Sequence, residues 1–236
     1  MNEGRYQNPS RYDKVEVLLL CWKVSDIDTT KEVKDLRKVF EDDFGYHATT
    51  EYLNANSKQK LQCTMGVTAV RETSWASLEL IGHTSPNDQR DANLKERNRL
   101  VWNKTEDLLR PAEADVLEIF DCCCAGTIGL ARGERRLFEY LAAVEGHDGT
   151  TKIPGPESFT TALIFALKEL VKEKDEGRFT TDELLRKIKT DAPNFPKDQT
   201  PAMSNRDNKH SSAGRIMLHP TPTPQAVRGG ERRLSL

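Results

Sequence analysis

The stretch Val116-Leu117-Glu118-Ile119-Phe120-Asp121-Cys122-Cys123-Cys124-Ala125-Gly126 constrains this chain more than any other. A short, nearly continuous apolar run stops at an acid, three successive thiols and a small-residue turn. A run of this length bounded by turn residues reads as a strand buried on both faces, the pattern of a parallel sheet. Open parallel sheets hold their chemistry at the carboxyl ends of their strands. The thiols therefore stand where such a fold keeps reactive groups.

The rest of the chain alternates between strand and helix patterns. Residues 15–22 are nearly continuously apolar after Glu16 and predict a central strand. Thr29 and Glu32 have capping-box spacing. Val33, Leu36, Val39 and Phe40 follow at helical spacing, with Gly45 where that helix stops. A weaker strand is predicted near 49–53, a helical stretch near 57–62, and a strand over 77–83 that ends at Gly82-His83. A helix is predicted near 103–109 and a further strand over 137–144. Beyond the Pro154-Gly155-Pro156 turn, Phe159, Leu163, Leu167 and Leu170 share one helical side. Thr180 with Glu183 caps another helix bearing Leu184, Leu185 and Ile188, and residues 215–219 predict a strand that closes the sheet. This alternation predicts one α/β domain over 13–219, layered helix-sheet-helix around a mostly parallel central sheet. Residues 1–12 read as a flexible lead and 220–236, rich in Pro, Thr, Arg and Gly, as a disordered tail.

Composition narrows the function classes. The net charge is −2 with acids and bases interspersed, which gives no electrostatic case for nucleic acid or a membrane surface. No apolar run approaches the roughly 20 residues that span a bilayer, and residues 1–10 lack the apolar core of a signal peptide. Five cysteines, three of them adjacent, make no disulfide framework, so the expected setting is the reducing cytoplasm. No pair of Cys or His clusters has zinc-ligand spacing, and no Walker-type lysine follows Gly126 and Gly129.

A thiol of ordinary pKa, about 8.5, is mostly protonated at neutral pH, whereas the nucleophile is the thiolate. A cysteine hydrolase needs a base beside it, usually histidine. Of five histidines, only His83 directly follows a predicted strand and sits beside a glycine. If the 77–83 and 116–120 strands are parallel neighbours, their carboxyl ends lie about 5 Å apart. His83 and the cysteine turn then face one cleft, with the small Ala125 and Gly126 leaving backbone amides near the thiol open to an oxyanion.

Asp121-Cys122-Cys123-Cys124-Ala125-Gly126 resembles the Asp-(Ser/Cys)-Cys-His-(Ser/Ala)-Gly box of metacaspases and the wider caspase-like cysteine peptidases. Ile81-Gly82-His83-Thr84 is similar to a degraded copy of their Ser/Ala-Gly-His-Gly box. The order of the two strands, the opening 15–40 unit and the 159–170 helix preceded by Ser158 fit the same framework, over residues 13–219. The resemblance implies a caspase-like fold and a cysteine endopeptidase acting on protein or peptide substrates. It makes Cys123 the nucleophile, His83 the general base, and amides near Gly82 and Cys123 the oxyanion site. It makes Asp121 an acid of the specificity pocket, with Asp26 and Asp28 in the loop after the first strand. Carboxylates there favour Arg or Lys at P1. No cofactor is implied, although some metacaspases use calcium. The chain departs from the boxes at Thr84, where the family has glycine, and at Cys124, where it has histidine.

Blander readings stand beside this one. By strand alternation Cys122 faces the core, Cys123 read alone is compatible with a structural thiol, and Asp26 and Asp28 suit a helix cap. A catalytically impaired domain serving as a regulatory or interaction module is the main alternative, and a thiol redox sensor a third. The segment between Gln62 and His83, shorter and less apolar than its counterpart in the family, discriminates them. A full strand there beside 116–120 favours the enzyme; an irregular segment favours the module.

Overall fold

A computed structural model of the chain describes residues 12, 14–22, 27–53, 74–81, 114–121, 137–145, 151–205 and 215–221. The apolar runs form the strands that alternation demands: β1 (Lys14–Trp22), β2 (His47–Leu53), β3 (Ser74–Ile81), β4 (Val116–Asp121) and β5 (Phe138–Ala142). They run parallel, and an antiparallel edge strand, β7 (Ala202–Asn205), completes a six-stranded sheet of order β2-β1-β3-β4-β5-β7. Within the segment before His83, residues 74–81 are thus a strand, paired with β1 on one side and β4 on the other. Two short strands, β6 (Phe179–Thr180) and β8 (Met217–Leu218), pair antiparallel in a separate ribbon.

Three helices are described: α1 (Thr30–Lys38), which continues into a π-helical turn over Val39–Asp43, α2 (Phe159–Glu173) and α3 (Thr181–Asp191). They share one core with a single face of the sheet. Val15, Val17, Leu19, Leu117, Ile119 and Leu141 from the strands meet Val33, Leu36, Phe159, Leu163, Leu167, Leu184 and Ile188 from the helices. Leu18, Leu20, Val116, Phe120 and Phe138 point the other way and are also buried. Burial on both faces explains why these strands read as continuous apolar runs rather than alternating ones. The helices expected near 57–62 and 103–109 lie outside the described residues.

Two expectations need correcting. Residues 215–219 do not close the sheet. The free edge of β5 is taken by Ala202–Asn205, whose sequence carries no strand pattern, and Met217–Leu218 pairs instead with Phe179–Thr180. Arg215 and the Ile216 amide are drawn there by Glu139 of β5, a fully buried carboxylate that also accepts from Thr181. Tyr12 and Thr221, assigned by sequence to the lead and the tail, are tied into the fold: Tyr12 donates to His219 and Asp115, and Thr221 to the carbonyls of Phe44 and Gly45.

Candidate active site

The strand order reverses between β1 and β3. The chain leaves β1 toward β2 on one side and returns to β3 on the other, and a crevice at the carboxyl ends of the strands is expected at such a switch. Across it the register is in step: Cys21 pairs with Ile81, and Ile81 with Asp121. Two helices begin near this edge, α1 after β1 and α2 after β5, so their positive ends and unsatisfied first-turn amides gather there.

Two buried carboxylates lie there, and one of them answers such an amide. Asp121 ends β4, and its Oδ2 accepts from the backbone N–H of Thr160 at 3.2 Å and from the Thr160 hydroxyl at 2.7 Å. Ser158 caps α2, its hydroxyl accepting from the Thr161 amide at 3.1 Å. The same hydroxyl donates to Oε1 of Glu32 at 2.5 Å. That oxygen also accepts from the Gly155 amide at 2.9 Å and the Thr161 hydroxyl at 3.2 Å. Gly155 holds φ at +149°, a backbone state that suits glycine, and a Cβ placed on it would meet nothing within 4 Å. Among the described residues, Oε2 of Glu32 has no hydrogen-bond partner. Glu32 is 6% exposed and Asp121 8%. Burial is the largest influence on the Asp121 carboxyl. The Thr160 hydroxyl works against it, the nearby Glu32 carboxylate adds to it, and the result is a pKa pushed up to about 6.

The sequence-derived site residues fall unevenly in this frame. Asp121 is at the carboxyl edge, as its position in the motif implies. Asp28 is exposed, and its Oδ1 accepts from the Thr30 amide at 2.9 Å in a helix-capping bond; the Thr30 hydroxyl first, and then that amide, hold its carboxyl below its ordinary pKa. Asp26, Gly82, His83 and Cys123 lie outside the described residues. The Thr29–Glu32 capping box does not form: Thr29 makes no side-chain cap, and Glu32 turns inward to the start of α2. Glu32, Ser158 and Thr160 are therefore the site residues that sequence reasoning misassigned or missed. The first two carried a signal, an acid in the first turn and a serine before the helix. Nothing local distinguished Thr160.

This arrangement can do one thing chemically. A pair of shielded carboxylates, one oxygen of which has no donor among the described residues, can receive a cationic group. Among the described residues no three His, Cys, Asp or Glu side chains converge as a metal site. Also among the described residues, no helix is long and apolar enough to cross a membrane.

No protein-family model and no curated protein matches the sequence. Solved structures do match. The crystal structure of drICE, a caspase, superposes with a TM-score of 0.51 at 11% identity, over 85% of this chain and 91% of that one. At that identity the likeness speaks to fold, and the chain has an α/β caspase-like fold.

Proposed function

We propose that the chain is a cysteine endopeptidase of the caspase and metacaspase class. Cys123 attacks the scissile carbonyl, His83 takes the thiol proton and returns it to the leaving amine, and the amides near Gly82 and Cys123 hold the oxyanion. The observation that carries this reading is the pairing of Ile81 with Asp121 on adjacent parallel strands. His83 and Cys123 each follow one of these partners by two residues in the sequence, so both segments depart from strand ends about 5 Å apart. An eight-residue β3, hydrogen-bonded on both sides, supports the enzyme over a regulatory module.

The acids supply the specificity. Asp121 and Glu32, beside the loop acids Asp26 and Asp28, would form an anionic site suited to Arg or Lys at P1. The test is a peptidase assay on Arg-, Lys- and Asp-ended peptides. The expected outcome is cleavage after Arg or Lys, reduced about 1,000-fold or more in Cys123→Ala and in His83→Ala. Activity that survives Cys123→Ala removes the proposed nucleophile, and cleavage after Asp in preference to Arg removes the basic preference.

A further inference from the structure

Among the described residues, the two carboxylates at the start of α2 are held by hydroxyls and amides. Glu32 meets Gly155, Ser158 and Thr161, and Asp121 meets Thr160. These donors are neutral, so none of them compensates two negative charges withdrawn from water. Ionising two neighbouring buried acids together is costly, and the ordinary resolution is that one keeps a proton until a cation arrives. Around Asp121, α1 contributes Glu32, β1 contributes the buried thiol of Cys21 two strands away in the same register, and the first turn of α2 contributes the Thr160 amide and hydroxyl. Oε2 of Glu32 is a buried acceptor with no donor among the described residues. A Cβ added at Gly155, whose amide donates to Glu32, would meet nothing within 4 Å among the described residues.

We propose that Glu32 and Asp121 act as a proton-coupled receptor for a guanidinium or ammonium group: in mildly acidic solution Asp121 carries a proton in the absence of a cation and releases it when the cation docks. The inference rests on the basic-P1 reading above and adds a regulatory consequence to it. Recognition of a basic residue becomes conditional on pH, because in acid the ligand must expel a proton before it can pair. Asp121 titrates near 6, so the apparent affinity for a cation falls about tenfold per pH unit below that value and levels off above it.

The experiment titrates agmatine, a small guanidinium probe, into the full chain carrying Cys123→Ala. Heats are measured in two buffers of different ionisation enthalpy, so that protons exchanged on binding are counted. The expected result is a release approaching one proton per agmatine bound near about pH 5, fading to none near about pH 8. Asp121→Asn is expected to abolish the release and flatten the pH dependence. Glu32→Gln, which removes the like charge while keeping the shape, is expected to shift the release to lower pH. Agmatine binding with no proton released, or with release unchanged in Asp121→Asn, overturns the coupling and leaves the basic preference standing. Failure of agmatine to bind at any pH overturns both.

Discussion

Asp121 is held in a state that costs the fold something. Its carboxyl titrates at about 6 in place of 3.8, so the folded protein binds that proton more tightly than the unfolded chain does. Stability from this group is therefore greatest in acid and is lost as pH rises from about 4 to about 6, the reverse of an ordinary salt-bridged aspartate. The shift corresponds to roughly 3 kcal/mol as an upper bound. Asp121→Asn keeps an oxygen to accept from the Thr160 amide and hydroxyl while removing the charge. It is expected to raise stability to urea by about 1–3 kcal/mol near pH 8 and to leave it nearly unchanged near pH 3. An equal loss at both pH values would show that shape, rather than ionisation, governs the position. A residue that weakens its own fold when ionised is the usual mark of a functional site.

At the scale of elements, the start of α2 should be the most sensitive helix end among those described. Ser158 serves two structures at once, capping the Thr161 amide and donating to the buried Glu32. Thr180 and Glu183 form a reciprocal capping box at the start of α3, close to solvent and with no buried carboxylate depending on it. Thr180→Ala should cost about 1 kcal/mol, whereas Ser158→Ala should cost about 2–3 kcal/mol, because it also strips a donor from a buried charge. Denaturation midpoints of the two variants decide this, and equal losses would deny Glu32 its dependence on Ser158. The same comparison shows where the sequence was legible. Thr180 and Glu183 satisfy each other within one turn, so local spacing suffices to find them. Thr29 and Glu32 have the same spacing, but Asp28 supplies the Thr30 amide with an acceptor and leaves Glu32 to bond across the fold. The inner strands announce themselves because burial on both faces makes them apolar throughout. Ala202–Asn205 is a strand only because β5 offers it a free edge, and no residue pattern records that. The candidate site was legible as a motif at the end of β4, while the pairing of Asp121 with Glu32 depends on where α1 and α2 start in space.

The whole molecule divides by the ends of its sheet. The carboxyl edge carries Asp121, Glu32 and the start of α2, and the opposite edge is closed by contacts between segments remote in sequence. His219, 2% exposed, places Nδ1 3.0 Å from the Pro220 carbonyl, an atom that can only accept, so Nδ1 carries the hydrogen. Nε2 is then an acceptor and receives the Tyr12 amide at 3.1 Å, with the two rings stacked. The Tyr12 hydroxyl donates to Asp115, which precedes β4, and the Asp115 carboxylate also accepts from Leu137, which precedes β5. Burial and that carboxylate push the Tyr12 phenol up, out of the range where it ionises. Tyr46, ahead of β2, donates to the His219 carbonyl. These residues lie before the strands rather than after them, so they fasten the sheet at the edge remote from Asp121. His219→Ala leaves a cavity and deprives the Tyr12 amide of its acceptor, at a cost of about 2–4 kcal/mol. In a chain of this size that lowers Tm by roughly 5–15 °C. The proposed chemistry sits at the other edge, so kcat/KM on an Arg-ended peptide should match that of the unaltered chain at any temperature where the variant stays folded. A fall in kcat/KM with Tm unchanged would mean that the two edges are coupled through the strands, and the division of this sheet into a fastened edge and a working edge would have to be given up.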